Sequence, residues 1–250
     1  MHKPIDDFWK EFMCLAKPNG GPDFVFRGVT DESFELIPSI GRRTKEPIGS
    51  EISAIERDLL NEFRRLAIPI LKKQPSSDFE WMFLAQHYGL PTRLLDWTTN
   101  SLVALFFAAE EDDEDGAIYY GQIRFSDEYE RYDPYSAKKH HYSPRALLPH
   151  EGKVIFIRPR YTDNRYLNQK SIFSCPNDPF ISLDIPEIKK MVIQRDWKPE
   201  IRERLLRLGI SASYIYPGLS GIASEVKSKI FNPITSGRRR ITTIYPLLED

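Results

Sequence analysis

The chain divides into stretches with helical spacing of apolar residues and stretches with strand character. Phe8, Trp9, Phe12 and Leu15 share one face of a short helix over 6–15. Ile52, Ile55, Leu59, Phe63 and Leu66 mark a long amphipathic helix, with Ser50 as its cap, Glu51 in its first turn and Pro69 at its end. Ser77 followed by Glu80 has the form of a capping box, opening a helix through Trp81, Phe83 and Leu84 to Gly89, with Pro91 just beyond. Further helices are expected over Asn100–Glu111 and over Pro199–Leu208, the second with Pro at its start and Gly209 past its end. Phe24-Val25-Phe26 reads as a buried strand that turns at Arg27-Gly28. Ala117–Ile123, Lys153–Ile157, Ile172–Cys175, Met191–Ile193 and Ile241–Tyr245 are the other expected strands.

Between Phe125 and Glu151 neither period holds, and the stretch reads as one long polar loop rich in Tyr, His and Pro. No internal repeat or linker-like shift in composition divides the chain. The pattern predicts a single mixed α+β domain over 1–250, a small central β-sheet with flanking helices.

Composition narrows the functional classes. Of 250 residues, 41% are hydrophobic and 12% aromatic, enough for a packed core. Lys and Arg number 35 against 36 Asp and Glu, so bulk charge gives no reason for nonspecific binding to nucleic acid or a membrane surface. The first seven residues lack the apolar run of a secretory signal, and the longest apolar stretch, Leu102–Ala109, is too short to span a bilayer. A cytoplasmic protein without membrane contact is expected. Cys14 and Cys175 cannot form a disulfide framework or a Cys-rich zinc site, and both read as small buried hydrophobes.

The densest concentration of chemistry is Gln86-His87-Tyr88-Gly89-Leu90-Pro91-Thr92-Arg93-Leu94-Leu95-Asp96-Trp97-Thr98, between two well-marked helices. A His, an Arg, an Asp and a Trp in one connector suit a pocket for a planar, anionic ligand. The plainer alternative is that Arg93 pairs with Asp96 and His87 satisfies a core carbonyl. Arg27, at the end of an apolar strand, offers a permanent charge and a planar fork to phosphate or carboxylate, and Gly28 beside it leaves room for a ligand to approach. His140-His141 with His150 and Glu151 lack metal-ligand spacing and read as a solvated loop, so no metal is expected. No phosphate-binding loop or dinucleotide fingerprint is present, and Ser220 does not sit in a nucleophile elbow. Gly237-Arg238-Arg239-Arg240, Arg42-Arg43 and Arg64-Arg65 are short basic groups of unknown mutual position.

Phe26-Arg27-Gly28 closely resembles the signature of the FRG-domain family. So does the block from Gln86 to Thr98 with Leu102-Val103-Ala104-Leu105-Phe106-Phe107-Ala108 after it. Asn164-Arg165, Asn168-Gln169 and Phe173, and Tyr216-Pro217-Gly218-Leu219-Ser220-Gly221, also look like that family, so the resemblance covers about 8–226. A more distant similarity is to ADP-ribosyltransferases. There an early-strand Arg or His holds NAD, a Ser-Thr-Ser strand leads into a helix, and a Glu or Gln near a third strand supports transfer.

In position, Arg27, Asp96-Trp97-Thr98-Thr99 and Gln169 are similar to those three elements, although the Ser-Thr-Ser and a Glu-x-Glu before Phe173 are missing. What the resemblance implies is a bacterial toxin or antiphage-type effector with an NAD pocket, transferring ADP-ribose to a nucleic-acid or protein acceptor or hydrolysing NAD. An antitoxin or chaperone partner goes with that role. Arg27, His87 and Gln169 are its implied catalytic residues, and Gly28, Gln86, Tyr88, Arg93, Asp96 and Thr98 its ligand contacts. The alternative is a module that binds or senses a nucleotide or nucleic acid without turnover.

Overall fold

β1, Phe24–Val29, sends Val25 into one apolar cluster and Phe26 into another, as a strand covered on both faces does. The computed structural model describes residues 4–15, 24–43, 52–123, 129–132, 154–160 and 163–231. α1 (Pro4–Leu15) precedes β1. After it come α2 (Ser39–Arg43), α3 (Ile52–Ala67), α4 (Asp78–His87), β2 (Leu95–Thr98), α5 (Ser101–Ala108), β3 (Gly116–Gln122) and β4 (Tyr129–Tyr132). Then follow β5 (Val154–Ile157), α6 (Asn164–Gln169), β6 (Ser171–Pro176), β7 (Lys189–Ile193), α7 (Lys198–Arg207), α8 (Ala212–Ile215) and α9 (Leu219–Phe231).

The fold is α+β, with one seven-stranded sheet in the order β4-β5-β6-β2-β1-β3-β7. All neighbours are antiparallel except β4 and β5, which run parallel. One face carries two apolar clusters. The first gathers Phe26 and Ile118 under α1, α5 and α7, and the second gathers Ile155, Ile157 and Phe173 under α3 and α4. The opposite face buries Val25, Leu95, Trp97, Phe156 and Ile172 against Leu36, Leu183 and Ile185 from the connecting segments.

The caps explain why α4 starts and stops where it does. Ser77 Oγ accepts the Glu80 amide at 3.2 Å, while the Glu80 carboxylate returns to the Ser76 amide at 2.6 Å, one residue earlier than in the simple capping box. Gly89, at φ +87°, takes the left-handed conformation that ends the helix.

The structure adds elements that the hydrophobic pattern does not announce. β2 lies inside the Gln86–Thr98 block, and its four residues are too few to show a period. β4 falls within the expected polar loop at 125–151, so that excursion is not loop throughout. α2, α6, α8 and α9 are likewise additional. β1 continues through Arg27 and Gly28 instead of turning there. Cys175 is buried and its thiol is pushed up to about 12 by burial, whereas Cys14 is exposed, against expectation. Ser50 and Glu51, the expected strand at 241–245, His140, His141, His150, Glu151 and Gly237–Arg240 lie outside the described residues.

Candidate functional site

β1 and β2 pair at a single register position, Phe26 with Thr98. A regular antiparallel ladder would continue by setting Gly28 opposite Asp96, but the two strands part there. The parting lies in the middle of the sheet, between the two apolar clusters that cover the same face. A cleft of about 240 Å³ opens over it. Phe26, Phe83, Phe107, Tyr166 and Phe173 supply its aromatic walls, and Arg27, Gln86, His87, Asp96, Arg165, Gln169 and Ser171 supply its polar groups. Arg27, the two ends of the Gln86–Thr98 block and Gln169, far apart in sequence, therefore meet at one place.

Arg27 reaches across the parting and donates from Nη1 to the Asp96 carbonyl at 2.7 Å. Its Nε is buried and has no partner among the described residues. Burial holds the guanidinium below its ordinary value, Asp96 opposes that shift and Arg42 adds to it. A guanidinium stays charged in a protein, so one whose Nε is buried without a partner favours an anion beside it.

Across the parting, Asp96 projects from β2 on the side opposite to Leu95 and Trp97. Its Oδ1 accepts from Gln86 Nε2 at 2.7 Å. Gln86 Oε1 in turn accepts from the Thr92 hydroxyl, which fixes the orientation of its amide. Among the described residues lining the cleft, Asp96 is the one carboxylate.

His87 ends α4 half-buried, with its ring 5.7 Å from that of Tyr166 and edge-on to it. Its imidazole makes no hydrogen bond among the described residues, so it does not satisfy a core carbonyl. Burial, then the charge of Arg165, holds it below 6.5, so it is neutral at pH 7. Tyr166 is fixed by donating its hydroxyl to the Phe83 carbonyl at 2.7 Å. Gln169 closes the far side, where its Nε2 donates to the Ile215 carbonyl at 3.1 Å. That bond leaves Oε1 as its remaining polar atom.

Several expected contacts have other roles. Arg93 is buried at 1% exposure and pairs with Glu56 on α3, donating from Nε to its two oxygens at 2.7 and 2.9 Å. Its Nη1 donates to the Asn177 carbonyl at 2.7 Å. Neither the ligand role nor pairing with Asp96 describes it: Arg93 ties α3 to the segment after β6. Tyr88 caps the end of α4, is 70% exposed and is not part of the cleft wall. Thr98 lines the cleft, but its hydroxyl donates to the Gln169 carbonyl at 2.6 Å and so joins β2 to the end of α6. Gly28 lines the cleft, but the space left by its missing side chain is taken by a helix. A Cβ there would overlap the Ala104 carbonyl oxygen and lie 2.7 Å from the Ala108 amide, because α5 packs directly on β1.

Arg165 and Tyr166 were not singled out as site residues from the sequence. Arg165 was marked only within the Asn164-Arg165 resemblance, and a further signal is the Asp163 cap, whose Oδ1 accepts the Arg165 amide at 2.6 Å and starts α6.

Geometry thus defines an α+β protein with an arginine-bearing, aromatic-walled cleft at a parting of its central strands. Residues 22–117 match the FRG domain, which supports placing the chain in that family. The match holds Arg27, Gly28 and the whole Gln86–Thr98 block, while Arg165 and Gln169 fall beyond it. No curated protein and no solved structure matches the chain, and the comparisons lend no support to the ADP-ribosyltransferase likeness. No described helix is long and apolar enough to cross a membrane, and no cluster of potential metal ligands occurs among the described residues.

Proposed function

We propose that the cleft binds NAD and catalyses transfer of its ADP-ribosyl group to water or to a macromolecular acceptor. The observation that carries this reading is the half-buried Arg27, with a buried and unpartnered Nε, lining the same aromatic-walled cleft as a single carboxylate, Asp96. Arg27 holds a phosphate of the dinucleotide. The aromatic walls take a flat base, and Gln86 holds Asp96 toward the ribosyl carbon. At about 240 Å³ the cleft is smaller than the ~300–1,000 Å³ of pockets that enclose drug-sized ligands, so it takes one half of the dinucleotide.

In the reaction the bond between the anomeric carbon and the nicotinamide nitrogen breaks, and nicotinamide leaves with the bonding pair. The acceptor oxygen bonds to that carbon and gives up its proton, for which neutral His87 is the available acceptor. The Asp96 charge lies where positive charge develops on the sugar, and the Gln169 side-chain oxygen, Oε1, is available to orient the acceptor. The biological setting we attach to this chemistry is that of a toxin or antiphage-type effector, since consumption of NAD or modification of a macromolecule harms a cell.

A second reading, binding of a nucleotide without turnover, is favoured by one observation: the Gln169 amide is already engaged with Ile215. Incubation with labelled NAD, with and without nucleic acid and cell lysate, decides between the two. Release of nicotinamide, suppressed far more than NAD affinity by Gln169→Ala, supports the enzyme. Binding of NAD with no release under any condition leaves the sensor.

A further inference from the structure

Arg165 is the unexplained charge of the cleft. It sits in the first turn of α6, half-buried, and lines the same cavity as Arg27. Its guanidinium makes no hydrogen bond or ion pair with any described residue. Asp163, the nearest acid in sequence, spends its carboxylate on the Arg165 backbone amide as the α6 cap. What holds the guanidinium is the ring of Tyr216, with Cζ 5.1 Å from the ring centre.

That ring is itself built in. The Tyr216 hydroxyl donates to Glu110 at 3.0 Å, and Phe106 and Phe107 pack their edges against it at 6.2 Å. Gly221, on the first turn of α9, lies so close to the Tyr216 carbonyl that a Cβ there would overlap it. The segment Tyr216–Gly221, which no other contact in the cleft explains, thus builds a support under Arg165.

Building on the proposed nucleotide reading, we propose that Arg165 is a second anion-gripping group of the cleft. Its ligand is then one that carries a diphosphate, with one phosphoryl group at Arg27 and the other at Arg165. A monophosphate satisfies one guanidinium and leaves the other without a counter-charge inside a partly desolvated cavity. A diphosphate satisfies both. The flat surface of Tyr216 holds the Arg165 fork without using its N–H donors, so they remain for the ligand.

The test is calorimetric titration of the full chain with inorganic pyrophosphate, orthophosphate and ADP-ribose, on the wild type, Arg165→Ala, Arg165→Lys and Arg27→Ala. Circular dichroism confirms that each variant is folded. Wild-type protein is expected to bind pyrophosphate at least about tenfold tighter than orthophosphate, the worth of one charge-assisted contact. Arg165→Ala should abolish that advantage and leave orthophosphate binding at Arg27 in place, and Arg165→Lys should restore it in part. Should Arg165→Ala keep the full preference for pyrophosphate, or the wild type show none, the inference is overturned. The nucleotide reading survives either result if ADP-ribose still binds in an Arg27-dependent way. If ADP-ribose does not bind the wild type at all, both fall together.

Discussion

Arg93 is buried and Arg27 is half-buried with a buried Nε, and their surroundings give them opposite roles. Arg93 has a carboxylate along its fork and a carbonyl at its remaining end, so its donors are spent inside the fold. Arg27 has one carbonyl and an unpartnered Nε. Removing Arg93 strands the Glu56 charge in a site where that side chain is only 16% exposed. Arg93→Ala is therefore expected to cost about 3–5 kcal/mol of stability, the usual result of breaking a buried pair, read from urea denaturation. A loss below about 1 kcal/mol would show that the pair is not structural. From sequence the two arginines could not be told apart in this way. Residue type and neighbourhood marked both, but the partner that decides, Glu56, comes from a helix 37 residues earlier in the chain.

At the scale of elements, the cleft exists because α5 presses on β1 while β2 draws away from it. The close approach needs Gly28, opposite Ala104 and Ala108 on the helix. Gly28→Ala should force strand and helix apart and lower stability by at least about 1–3 kcal/mol, the range for overpacking. Thermal melting checks this, and an unchanged melting temperature would mean that the contact yields easily. The helices on either side of the cleft were legible in the sequence, the first from the Ser77 capping box and the second from the apolar run after Asn100, which the structure shows to be its cap. β2 was not legible, because four residues, three buried and one exposed, are too few to show a strand period. Nor was the parting of β1 from β2, which depends on which strands pair and not on what either contains.

Across the whole molecule, the sheet brings early, middle and late segments to one cavity: Arg27, the two ends of the Gln86–Thr98 block, then Arg165, Tyr166 and Gln169. The α+β class was readable from the mixture of periods, but the seven-strand order was not, since non-local pairing leaves no local trace. Bringing these groups together also leaves a mark on overall stability. His87 is held below its ordinary 6.5 by burial and by Arg165. As pH falls through 6.5 the unfolded chain takes up a proton that the folded one refuses, so stability falls with acid until the folded imidazole also titrates. Denaturation between pH 5 and pH 7 should show that decline, and His87→Gln should flatten it. An identical slope in the variant would place His87 in a water-like setting.

The most direct measurement is calorimetric titration of NAD into the wild type and Arg27→Lys. Lysine keeps the charge and loses the planar fork. If Arg27 grips a phosphate of the dinucleotide, the wild type binds NAD. The variant then loses ~1.5–3 kcal/mol of binding, or about 10- to 150-fold in affinity, with its fold intact. Equal affinity in the two proteins, or no binding of NAD by the wild type, would contradict the account.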